Sequence, residues 1–124
     1  MTAIDTAAIK TYLEGLQQSL CAIFSRHDNA AWREDEWVRD EGGGGRSRVM
    51  TDGRLIEKAG INISHIRGSS LPASATQHRT ELAGCSFEAM GLSLVIHPQN
   101  PYVPTAHANV RFFIAEKADA TPIW

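Results

Sequence analysis

Two alternating segments near the carboxy-terminal end, joined by a proline-rich connection, limit most what this chain can fold into. In residues 105–117, Ala106, Ala108, Val110, Phe112 and Ile114 fall on every second position. The positions between them begin His107, Asn109, Arg111. Strand side chains alternate between faces, so these three groups project together, each about 7 Å from the next. Residues 87–97 repeat the pattern, with Met90, Leu92, Leu94 and Ile96 on one face and Gly91, Ser93, Val95 and His97 on the other. Between the segments lie Pro98, Pro101 and Pro104. Proline fixes φ and donates no hydrogen bond, which predicts a stiff, irregular loop. A hairpin centred on Tyr102 sets His97 opposite His107, Val95 opposite Asn109 and Ser93 opposite Arg111. A slip of one residue would bring Leu, Val and Ile among the polar groups, which burial disfavours; a shift of two keeps the shared face.

The rest of the chain predicts an α+β protein, an antiparallel β-sheet with an amino-terminal helix packed on it. Ile9, Leu13, Leu16, Leu20 and Ile23 recur at steps of four and three, so residues 2–27 read as one amphipathic helix. Thr2 and Asp5 have the spacing of a capping box. Residues 36–39 and 46–50 read as short strands, with the glycines of 42–45 breaking regular structure between them. Asp52-Gly53 is a two-residue hairpin signal. Residues 54–66 return as a strand interrupted at Gly60, and 68–75 form a loop leading toward a short helix.

Hydrophobic residues make up 43% of the 124-residue chain and charged residues 21%, a globular and not a disordered composition. The net charge of −2 gives no general attraction to nucleic acid. No secretory signal or apolar run of membrane-spanning length is present. Cys21 and Cys85 make no CxxC or zinc spacing and read as buried thiols, which fits a reducing cytoplasm.

The hairpin's polar face offers a hydroxyl, an amide, a guanidinium and two imidazoles. Arg grips a carboxylate through two parallel hydrogen bonds. Asn donates and accepts, and His exchanges a proton near neutral pH. Such a face suits an acidic organic substrate that is held and protonated or deprotonated. Simple exposure to water is the competing explanation for any one of these residues.

These residues also carry a resemblance. The stretch from Gly91 to Arg111, the run Trp37-Val-Arg-Asp-Glu-Gly-Gly-Gly-Gly-Arg-Ser-Arg-Val49 and the run from Asp52 to Ser64 are similar, in order and spacing, to the oxygen-dependent coproporphyrinogen-III oxidases. The resemblance implies oxidative decarboxylation of two propionates of coproporphyrinogen III to vinyl groups, giving protoporphyrinogen IX in haem synthesis. Molecular oxygen is then the co-substrate, and no flavin, haem or redox metal is required. By position it implies His107 as proton donor. It implies Ser93, Asn109, Val110 and Arg111 as substrate contacts, and His97 and His107 as two of four histidines assigned to a divalent cation. It further implies a homodimer with a large flat sheet between helical layers, and dimer contacts from residues 42–51.

The same resemblance makes residues 1–124 the amino-terminal part of one larger domain, without its Trp-Phe-Gly-Gly-Gly and Asp-Leu-Thr-Pro segments. A piece of this kind is expected to be inactive alone, with an unpaired sheet edge and an uncovered apolar face. Three other readings compete. The glycine run lacks the Gly-Lys-Ser/Thr ending of a phosphate loop. A cupin-like metal enzyme needs a third ligand beside His97 and His107. A tetrapyrrole-binding module without turnover keeps the Arg111 anchor but needs no proton donor.

Overall fold

The computed structural model describes residues 3–124. Its elements run α1 (Thr6–Ser25), β1 (Arg33–Val38), β2 (Gly43–Thr51), β3 (Ile56–Gly68), α2 (Ala73–Thr76), β4 (Ser86–Pro98) and β5 (Ala106–Glu116), with a 3₁₀ turn at Thr80–Leu82. The five strands form one antiparallel sheet in the order β1-β2-β3-β4-β5. Every strand therefore pairs only with its neighbours in sequence. The α+β expectation and the packed helix are met.

Alternation sets which residues face the helix. Ile61 and Ile63 of β3 lie beside Leu94 and Leu92 of β4, and all four are buried. With Met50, Ala59, Met90 and Ile96 they form the main core, against which Leu13 and Cys21 of α1 pack. Of the expected helix stripe, Ile9, Leu13, Leu16 and Leu20 reach the core, but its centre is shifted. Its deepest residues are Leu13, Gln17 and Cys21, whereas Ile23 is 44% exposed. Gln17 is admitted because its polar atoms are matched. Its amide nitrogen donates to the carbonyls of Arg46 (2.9 Å) and Ile61 (2.8 Å), and its Oε1 accepts from Arg46 Nε at 2.8 Å. Asp5 is itself the N-cap, accepting from Ala8 N at 2.9 Å, rather than the third residue of a capping box. Thr2 lies outside the described residues.

The glycine run breaks structure only at Gly42. Gly43, Gly44 and Gly45 belong to β2, and the reversal falls at Asp40, Glu41 and Gly42, with Gly42 and Gly43 at φ of 111° and 91°. Interruption at Gly60 is also absent, since β3 runs through it with Val49 and Val95 as neighbours. The irregularity in β3 lies between Ile56 and Lys58, where a bulge puts both Ile56 and Ala59 on the core side.

Asp52-Gly53 does open the β2–β3 turn, with Asp52 at φ 56°. The turn extends to Leu55, however, and Asp28 organises it. Its carboxylate, at the buried end of α1's exit, accepts from the backbone N–H groups of Arg54, Leu55 and Ile56 at 3.2, 2.9 and 2.9 Å, and from Ala30 at 3.1 Å. The Ile56 and Leu55 bonds, then those from Ala30 and Arg54, outweigh the cost of burial and pull its pKa from 3.8 to about 2. A depressed folded-state pKa stabilises the fold above the unfolded value and loses that contribution as pH falls through the folded value. Stability should therefore decline between pH 3.8 and about 2. Asp28→Asn should be less stable at neutral pH and should flatten this acid limb. An unchanged limb in acid titrations followed by circular dichroism would remove Asp28 from the role.

This turn in turn holds the proline loop. Gln99 donates from its backbone to Leu55 O at 2.9 Å and from its side chain to Gly53 O at 3.1 Å. Within the loop, Asn100 Oδ1 accepts from Tyr102 N at 2.9 Å. A second, smaller core of Leu82, Cys85 and Ala115, with Leu71, Phe113 and Ile123 against it, packs where the 69–85 segment and the chain end meet β5. Ile123 pairs with the edge of β5 at Ala115, through bonds of 2.8 and 3.0 Å. The outer edge of β5 from Ala106 to Ile114 has no strand partner among the described residues. Its helix-side residues Ala106, Ala108 and Val110 are exposed. Both cysteines are buried free thiols, as expected, and burial pushes the Cys21 pKa up against the opposing pull of Arg48.

Candidate functional site

The candidate site lies on the sheet face opposite α1. On that face β4 and β5 pair Val95 with His107, Ser93 with Asn109 and Gly91 with Arg111. The hairpin is thus centred one position earlier than Tyr102, and each pair is offset by two residues from the expected one. His97 does not face His107; it lies at the end of the strand, beside Lys58. Period-two patterning fixes the face but not the offset, so the polar set stays together while its partners change.

The pairing extends across the sheet. Asn109, Ser93, Asn62 and Ser47 form one cross-strand row from β5 to β2. The next row is Arg111, Gly91, Ser64, Gly45 and Trp37, from β5 to β1. All of these except Gly45 line a shallow depression of about 190 Å³. The glycines make the room. A Cβ on Gly45 would stand 2.2 Å from the Trp37 ring and 2.5 Å from the Ile63 carbonyl oxygen. Trp37 therefore lies over bare backbone and supplies an apolar wall. On Gly91 a Cβ would meet the Val110 carbonyl at 3.0 Å.

Ser93, Asn109 and Arg111 are brought into the depression. His107 lies one step along the same face of β5, exposed like Asn109 and Arg111. Val110 does not join them; its side chain projects from the other face and is 45% exposed. Asn62, Ser64, Ser47 and Trp37 are site residues that the patterning of the last hairpin did not reveal. The signal was nonetheless present in Ile61-Asn62-Ile63-Ser64, which alternates as cleanly as β5 does. His65 stands apart, buried on the helix side with its Nε2 2.7 Å from Glu88 Oε1.

Electrostatically the depression carries one cation, Arg111, and no carboxylate in its lining. Arg111 makes no ion pair among the described residues, so its fork is free for an anion. His97 and His107 sit diagonally on neighbouring strands, a spacing of roughly 7–8 Å. His97 Nδ1 lies 3.5 Å from Thr105 Oγ1. No group of three His, Cys, Asp or Glu side chains suited to a metal occurs among the described residues. The histidine pair alone therefore does not complete a cation site. Among the described residues no helix is long and apolar enough to cross a membrane.

An open face with one guanidinium, a row of amides and hydroxyls, an aromatic wall and an imidazole at its margin can hold a carboxylated, partly apolar ring compound and exchange a proton with it. A family model described as coproporphyrinogen III oxidase matches residues 8–124.

Proposed function

The chain belongs to the coproporphyrinogen III oxidase family, an oxidoreductase family of haem synthesis, and from that premise we propose that this sheet face carries an oxygen-dependent oxidative decarboxylation. The observation that carries the reading is the meeting of Ser93, Asn109 and Arg111 in one depression, with His107 next to it on the same strand face. On this reading each of two propionates loses carbon dioxide and one β-hydrogen to become a vinyl group. Oxygen takes up the two electrons and, with one further proton, leaves as hydrogen peroxide.

The substrate's rings supply the electrons, and the protein supplies position and proton exchange. Arg111 holds a propionate through paired hydrogen bonds. Ser93 and Asn109 fix the ring to which that propionate is attached. Val110 contributes through its backbone, because its side chain points to the opposite face. His107 exchanges the proton at the reacting ring. His97 and His107 offer two imidazoles to a divalent cation, whose remaining donors would come from outside the described residues. A reducing cytoplasm suits the two free thiols, and the homodimer implied by the sequence resemblance is part of the same proposal. Residues 42–51 lie between β1 and β3, so a dimer contact there would use a sheet face and not a strand edge.

The site face is open to solvent at His107, Asn109 and Arg111. Oxidation of an electron-rich ring gains from exclusion of water. We therefore propose that a further protein layer closes this face and that residues 1–124 alone turn over little substrate. The test is anaerobic mixing of the 124-residue chain with coproporphyrinogen III, followed by oxygen, with vinyl product and carbon dioxide measured. Binding without sustained turnover is the expected result. Rapid turnover would show that no further layer is needed, and failure to bind would count against the site itself.

A further inference from the structure

We propose that Asn62 is a substrate-positioning acceptor, taking a hydrogen bond from a pyrrole N–H at the floor of the depression. This rests on the reading of that face as the tetrapyrrole site. Asn62 Oδ1 is the one buried side-chain nitrogen or oxygen atom without a hydrogen-bond partner among the described residues. Buried polar atoms are paired in the great majority of cases, and each exception calls for a cause. Asn62 sits in the central strand, between Ser47 and Ser93, yet neither flanking hydroxyl bonds to it. Gly60, its neighbour on the same face, leaves its side free: a Cβ there would still be 3.6 Å from Asn62 Nδ2. The half-buried side chain lines the same depression as Arg111, and no hydrogen bond among the described residues holds its amide, so a turn about χ2 brings Oδ1 from its enclosed position to the floor.

The chemistry of the ligand class matches this arrangement. A tetrapyrrole carboxylate presents only acceptors at its rim when ionised, and its donors are the ring N–H groups at its centre. Arg111 donates at the margin of the sheet face, and the acceptor lies two strands inward. Strands are spaced about 4.8 Å apart, so a donor at the rim and an acceptor roughly 10 Å inward suit a ring system gripped by its propionate. A free carboxylic acid without an N–H would satisfy Arg111 and leave Asn62 unpaired.

The test replaces Asn62 by Leu, of similar size, and by Val, smaller and suited to a strand. Affinity for coproporphyrinogen III is measured under argon by tryptophan fluorescence, beside wild type and Arg111→Ala, and each melting temperature is recorded. Removing an unmatched acceptor should leave melting unchanged or raised, while affinity falls about tenfold, the value of one hydrogen bond. A clear fall in melting for both variants would mean that Asn62 is structural, which overturns the proposal. Weakened binding in Arg111→Ala with unaltered binding in both Asn62 variants would overturn it too, leaving the site reading intact. Absence of binding by wild type, or full binding by all variants, would remove the site reading and this inference together.

Discussion

Replacing His107 by Ala in a turnover-competent form of the protein should lower the rate of vinyl formation by about 10²–10⁴, the usual contribution of a positioned acid or base. Porphyrinogen affinity and melting temperature should barely change. His107 is exposed, and it makes no side-chain hydrogen bond among the described residues, so the fold loses nothing with it. The substrate contacts assigned to Arg111 and Asn109 also survive the change. A split between rate and affinity is therefore diagnostic. Equal turnover would remove the proton-exchange role, and loss of binding would make His107 an anchor instead. If no form of the protein, with or without a layer closing the face, turns over substrate while binding persists, the face is a tetrapyrrole-binding module.

The largest effect on stability is expected at Gln17→Leu. Leu matches the side chain in size and suits a helix better by propensity. It nevertheless withdraws two donors from the Arg46 and Ile61 carbonyls and an acceptor from the Arg46 guanidinium. Buried groups left unpaired cost about 1–3 kcal/mol each, partly offset by the apolar area that Leu adds. A net loss of about 2–4 kcal/mol follows. Urea unfolding should show a lower midpoint at an unchanged slope. A loss below about 1 kcal/mol would mean that water takes over the freed groups.

These two residues show what the sequence makes legible. His107 is visible because β5 alternates and its polar positions carry chemistry. The face it shares with Ser93, Asn109 and Arg111 follows from the same periodicity. Its offset against Ser93 does not follow, because a shift of two positions buries the same residues and is settled by loop contacts far away in sequence. Gln17 is invisible to hydrophobic patterning: a polar residue in an apolar stripe looks like the helix's outer face until its partners on β2 and β3 are known. The glycines of 43–45 mislead for the same reason. Their local preference is for a break, but close approach of His65, Trp37 and Ile63 leaves only glycine able to occupy the strand. Asn62 and Ser64 were readable in principle, since they alternate with buried Ile61 and Ile63. Their importance emerges only when β3 is seen to adjoin β4.

The tether from Asp28 through the Gly53–Leu55 corner to Gln99 acts as a vernier for the chemistry on the opposite side of the sheet. Hydrophobic burial accepts any even offset of β5 against β4, so it cannot discriminate among settings two residues apart. The clamped end of the proline segment supplies the missing graduation. A setting two residues away would bury the same face while moving the imidazole about 7 Å relative to Ser93.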